Sequence, residues 1–97
     1  MPTYVSLMKW TDQGVQRVKE TLTRTEQARQ RIEQGGGRLV DIWWTQGAYD
    51  VIAVTEWPDD ESASTFMLAL GMGGTIRTQT MRAYTREEMQ RIIPKLP

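Results

Sequence analysis

Ninety-seven residues suffice for one domain and leave no room for a second core. Twelve basic residues balance twelve acidic ones, which argues against a nucleic-acid binder working through a broad basic surface. There is no cysteine and no histidine, so disulfides, thiolate or imidazole zinc sites, Cys or Ser–His nucleophiles and histidine-ligated haem are excluded within one chain.

Any acid–base chemistry therefore falls to Asp, Glu, Tyr, Lys or water, and neither a metal nor a cofactor is expected. A chain of this size buries roughly 60–65% of its unfolded surface, so association with further copies would add burial that one copy lacks. The N-terminal MPTYVSLMKW has no charged segment leading into an apolar run. No stretch approaches the ~18–20 apolar residues of a membrane span, and a cytoplasmic protein of bacterial style is expected.

In chain order, residues 3 to 10 predict a strand, with Val5 and Leu7 alternating with Tyr4, Ser6, Met8 and Trp10. Thr11 or Asp12 offers an N-cap oxygen. From Gly14 to about Gln34, Val15, Val18, Leu22, Ala28 and Ile32 recur at near-helical spacing, which predicts one long helix. Thr21, Thr23 and Thr25 crowd its middle, so a kink is placed near 23–25. Its charges interleave in sign and predict a solvated outer face. Gly35-Gly36-Gly37 ends it, since glycine takes a left-handed cap without steric cost.

Residues 38 to 46 and 49 to 57 predict two strands joined through Gly47-Ala48 as a hairpin. Pro58 stops the second, and Asp59 or Asp60 caps a helix whose stripe is Ala63, Phe66, Met67 and Leu70. Gly71, Gly73 and Gly74 end that helix. Residues 75 to 84 predict a fourth strand, with Ile76, Thr78, Thr80, Arg82 and Tyr84 on one face. Thr85-Arg86-Glu87-Glu88 matches a capping box and opens a short terminal helix.

The order β-α-β-β-α-β with a helix appended folds, through right-handed crossovers, into a ferredoxin-like α+β domain. Its four-stranded antiparallel sheet has the order 4-1-3-2, with both long helices on one face. The other face has no helix, yet large side chains such as Trp10, Trp43 or Trp44 are expected there. An uncovered apolar face predicts a partner, and the simplest is the same face of a second copy.

Three stretches, TYVSLMKWTDQG, WWTQGAYDVIAVTEWPDDESA and TIRTQTMRAYTREEM, resemble the GYD domain family of small bacterial proteins over nearly the whole chain. Ala48 stands where the naming motif begins with glycine, while Tyr49 and Asp50 are kept. The resemblance implies a dimeric α/β barrel in which two sheets face each other. It implies no particular activity, because fold and function are separable at this level.

With strands one and three taken as parallel, Tyr4, Tyr49-Asp50 and Arg82-Tyr84 are expected at one sheet edge, with Trp44 beside them. Arg82 would then hold an anionic group by bidentate bonds, and Asp50 would be the candidate base, with Tyr4 alongside. The bland alternative is that Asp50 pairs with Arg82 or caps the hairpin backbone. Ser6, Thr78 and Thr80 are candidate hydrogen-bonding groups in the cleft, although threonine is ordinary in strands.

Asp59-Asp60-Glu61 reads as helix capping rather than acid–base or metal chemistry. The glycine clusters GGGRLV and GMGGTI lack the strand–loop–helix setting of a phosphate cradle. The four tryptophans read as core or interface residues. These features point to a small homo-oligomeric barrel that binds a small anionic or aromatic molecule in a cleft beside the sheet. Two alternatives stay open: a non-catalytic oligomerisation or interaction module, and a ligand-responsive regulatory subunit.

Overall fold

A computed structural model describes all 97 residues. The elements are β1 (Thr3–Trp10), α1 (Asp12–Gln16), a 3₁₀ turn (Val18–Glu20), α2 (Thr21–Gln34), β2 (Arg38–Trp44), β3 (Val51–Glu56), α3 (Asp60–Met72), β4 (Ile76–Ala83), α4 (Arg86–Ile92) and a closing 3₁₀ turn (Ile93–Lys95). The sheet order is β2-β3-β1-β4, the expected 4-1-3-2 order read from its other edge. The chain spans 50 × 31 × 19 Å, the short axis being one helix layer on one sheet. No helix is long and apolar enough to cross a membrane.

Every neighbouring strand pair is antiparallel, β1 and β3 included. The expected parallel pairing of strands one and three is therefore wrong. The right-handed crossover makes β2 parallel to β1, and the tight return of β3 on β2 then sets β3 against β1. Each central residue is fixed by two neighbours: Tyr4 lies opposite Thr55 and Arg82, and Ser6 lies opposite Ala53 and Thr80.

The side chains facing the helices come from alternate positions: Tyr4, Ser6 and Met8 on β1, and Val51, Ala53 and Thr55 on β3, all buried. β2 keeps to this scheme through a bulge. Its register shifts between Leu39 and Asp41, which places Leu39 opposite Thr55 and Ile42 opposite Ala53. Strict alternation from Leu39 would have turned the Asp41 carboxylate into the core; the extra residue keeps it exposed. The same shift decides the tryptophans: Trp44 faces the helices with Val51, and Trp43 faces away with Ile52. Of the three tryptophans proposed for the uncovered face, only Trp43 is there.

α3 behaves as its stripe predicts. Asp59 caps it, its carboxylate accepting the Ser62 N–H at 2.7 Å. Ala63 is buried, and Phe66 lies with its ring 5.3 Å from that of Trp57, a fully buried side chain. Trp57 in turn donates its indole N–H to Thr55 Oγ1 at 3.1 Å, so the largest core side chain leaves no polar atom unpaired.

The first helix does not run as one rod. It breaks at residues 17–20, earlier than the threonine-rich stretch proposed for the kink. Thr11 caps α1, and Gly14 lies so close to β4 that an added Cβ would meet Thr75 O at 1.8 Å. The inward face carries through the 3₁₀ turn in one helical phase, as Gly14, Val18, Thr21, Thr25, Ala28 and Ile32. Val15 and Leu22, assigned to the buried stripe, are 51% and 69% exposed. Ile32 does reach the core, and Gly36, at φ 86°, takes the left-handed cap.

The β2–β3 connection is also longer than a two-residue hairpin. β2 stops at Trp44 and β3 starts at Val51, with the loop closed by Thr45 N–H to Asp50 O at 2.8 Å. The second sheet face has no helix on it. It carries Val5, Leu7, Ile52 and Val54 at its centre, with Trp43 and Met81 exposed beside them.

Candidate functional site

The predicted polar edge divides between the two ends of the sheet. Antiparallel pairing puts Val51 opposite Met8, so Asp50 lies at the end of β1 opposite to Tyr4. Five residues of strand, about 17 Å, separate the two positions. Asp50 extends the ladder there. Its carboxylate accepts the Trp10 N–H at 2.9 Å and its own N–H donates to Met8 O at 2.8 Å. The Asp50 carboxylate therefore holds the backbone of β1; it neither caps the hairpin nor meets Arg82. Trp44 shares the Asp50 end of the sheet.

Tyr49 follows a third path, across the uncovered face. Its hydroxyl donates to Gln79 Oε1 at 2.6 Å, and Lys9 Nζ lies 5.5 Å from its ring centre.

Tyr4, Arg82 and Tyr84 do converge. The guanidinium of Arg82 stands 4.4 Å from the Tyr84 ring centre and 5.9 Å from that of Tyr4. Its carboxylate partner is Glu88 of α4, at 2.8 Å, and it also donates to the carbonyls of Thr3 and Ala83. The Arg82 bond and the Thr85 N–H pull the Glu88 carboxyl down to about 2. Tyr4 donates its hydroxyl to Asp60. Burial first, then that carboxylate, pushes its phenol up to about 12.

Arg82 and Tyr4 thus each have a carboxylate mate inside the chain. The arrangement ties α3 and α4 to the sheet and leaves the Arg82 guanidinium engaged. Asp60 was absent from the candidate residues because an acidic side chain in a first helical turn has a sufficient local explanation.

Ser6, Thr78 and Thr80 lie on the helix-facing side. Ser6 is fully buried, its hydroxyl 2.9 Å from that of Thr80, and the one proton each carries is shared among this contact, the Met67 sulfur 3.8 Å from Ser6 and the Thr78 hydroxyl 3.3 Å from Thr80. These hydroxyls satisfy one another, as buried polar groups must.

The space beside them is a cavity of about 130 Å³ between the sheet and the two long helices. Its floor is apolar, with Met8, Ile42, Val51, Ala53, Phe66 and Leu70 among the lining side chains. One wall is different. α2 presents Thr21, Arg24, Thr25, Ala28 and Ile32 to it, positions i, i+3, i+4, i+7 and i+11 of one helical face. Arg24 donates to Thr75 Oγ1 at 3.1 Å, and Thr21 Oγ1 accepts the Trp44 indole N–H at 2.9 Å. Of all the proposed site residues, Ser6 and Trp44 are the two that line this cavity. The i, i+3, i+4 set Thr21-Arg24-Thr25 was legible in the sequence as a polar face, but the apolar stripe assigned through Leu22 pointed it outward.

Comparison with known proteins agrees with this architecture. Residues 4–93 match the family described as the GYD domain. A relative from Thermus thermophilus, named glutamine synthetase and cystathionine beta-lyase binding protein, is 31% identical over 84 residues. That alignment covers 86% of this chain and 88% of the relative. With nearly the full fold inside the matched span, the chain belongs to the GYD domain family.

Proposed function

We propose that this protein is a non-catalytic, homo-oligomeric interaction module: two copies pair through their uncovered sheet faces, and the pair binds other proteins. The observation that carries this is the bare face itself, where Val5, Leu7, Ile52 and Val54 are flanked by Trp43 and Met81, 47% and 45% exposed. Contiguous apolar surface of this kind marks association sites, and a two-fold pair covers it on both copies at once. The name of the Thermus relative supports the protein-binding half, and glutamine synthetase and cystathionine beta-lyase are the first partners to try. A bacterial, cytoplasmic setting belongs to the same reading.

Sedimentation velocity tests it. The wild type is expected as a dimer or larger at micromolar concentration, and Trp43→Glu as a monomer with unchanged far-UV circular dichroism. A monomeric wild type would overturn the proposal.

The cavity supports a second function alongside the first: binding of a small molecule between helices and sheet, which would make the module ligand-responsive. Protein-observed NMR with a fragment library checks it, through shifts confined to the amides around Met8, Val51 and Thr21.

A further inference from the structure

We infer that the cavity between sheet and helices is built for a small monocarboxylate, its apolar body on the sheet floor and its carboxylate at Arg24. This rests on the small-molecule reading above and adds the chemical class.

Charge is the first support. Two arginines, Arg17 and Arg24, line the cavity, and no aspartate or glutamate does. Arg17 is already engaged: its Nε and Nη2 donate to the Glu20 carboxylate at 3.0 and 3.2 Å. Arg24 has no carboxylate at ion-pair distance and is held by a neutral hydroxyl, Thr75 Oγ1. Only part of its five-donor fork is used, and a carboxylate is the group such a fork receives by two parallel bonds. Thr21 supports the same polarity. Having accepted the Trp44 N–H, its Oγ1 keeps its own proton to donate.

Local sequence logic is the second support, and it is independent of the first. A helix lying on a sheet normally turns its apolar residues inward. α2 does so only in its second half, with Ala28 and Ile32; over its first two turns Leu22 is exposed while Thr21, Arg24 and Thr25 face the cavity. Violations of this kind cost packing and are expected where a site has replaced core. α3, over the same sheet, shows no such reversal among its inward residues Ala63, Phe66, Met67 and Leu70.

Volume sets the body. At about 130 Å³ the cavity is close to the ~150 Å³ of an engineered apolar cavity that takes up benzene. A ring-sized or branched aliphatic body fits; a nucleotide or a long acyl chain does not.

Titration of the full-length protein with benzoate, benzyl alcohol and inorganic phosphate, followed by NMR shifts of the cavity amides, tests the class. Benzoate is expected to bind at least tenfold more tightly than either other probe, the ratio of one charge-assisted hydrogen bond. Arg24→Gln is expected to remove that advantage while leaving benzyl alcohol unchanged, and Arg24→Lys to restore part of it. Arg24 is on the cavity wall, so neither variant removes core.

Benzyl alcohol matching benzoate in the wild type, or Arg24→Gln binding benzoate undiminished, would overturn the carboxylate and keep the cavity. Phosphate matching benzoate would overturn the part of the apolar body. No shift with any probe would overturn the cavity reading itself.

Discussion

Two helices cover the same sheet face, and they do it in opposite ways. α3 lays Ala63, Phe66, Met67 and Leu70 inward and closes on Trp57. α2 puts Ile32 into the core at its far end, but over its first two turns it shows the sheet two threonines and an arginine. The cause lies upstream. α1 is held against β4 by Thr11, which donates its hydroxyl to Gly74 O at 2.6 Å, and by the close approach of Gly14. The inward face then keeps one helical phase through the 3₁₀ turn at Val18–Glu20, as Gly14, Val18, Thr21, Thr25, Ala28 and Ile32, and Leu22 falls outside it. Where the inward residues are apolar the layers interlock; where they are threonine and arginine, a cavity opens.

The largest contrast should come from truncating one apolar residue on each helix. Phe66→Ala is expected to cost about 3–5 kcal/mol in urea unfolding, the usual range for removing a packed phenylalanine. Leu22→Ala, at an exposed position, should stay within ~0.5 kcal/mol. A Leu22→Ala cost comparable to that of Phe66→Ala would show that α2 packs through its apolar stripe after all.

Enlarging an alanine on each helix gives a smaller effect with a difference in sign. Ala63 is buried in filled core, so Ala63→Leu should cost about 1–3 kcal/mol by overpacking. Ala28 lines the cavity, so Ala28→Leu should stabilise by up to ~1 kcal/mol as it fills empty space. The same variant should weaken benzoate binding. Equal destabilisation by both would mean that the cavity is already closed.

The smallest effects belong to the satisfied end of the sheet and appear only with pH. Glu88 has its folded value depressed from 4.5 to about 2, so its stabilisation is present above about 4.5 and is lost as pH falls toward 2. Glu88→Gln should flatten the acid limb of a pH–melting-temperature profile. Tyr4 has its value raised from 10.0 to about 12, so its contribution is present below pH 10 and fades as pH climbs through 12. Tyr4→Phe should move the alkaline limb and leave the acid limb unchanged. Neither variant should alter benzoate binding if the two ends of the sheet are as separate as their geometry makes them.

The candidate site was only partly visible beforehand. Ser6, expected as a hydrogen-bonding group in a cleft, does line the cavity; Trp44 lines it too, although the sheet-edge convergence expected around it is undone by the antiparallel pairing of β1 and β3. Asp50 stands out in the sequence only through an expected place beside Tyr4 and Arg82, and its carboxylate serves the Trp10 N–H instead. Arg24 was passed over among the interleaved charges of its helix, where spacing alone cannot tell an outward guanidinium from an inward one.

Much of the architecture was set locally, and so was readable. The Ala63-Phe66-Met67-Leu70 stripe, the Asp59 cap and the Thr85–Glu88 capping box each depend on residues a few positions apart. Periodicity and capping act over that distance. What the tertiary structure decided was phase and pairing. The bulge after Leu39 chose which tryptophan faces the helices, the seating of Gly14 against Thr75 fixed which side of the first helical segment faces the sheet, and antiparallel pairing sent Asp50 to one end and Arg82 to the other. Each is a choice between local arrangements of similar energy, settled by contacts with residues distant in sequence.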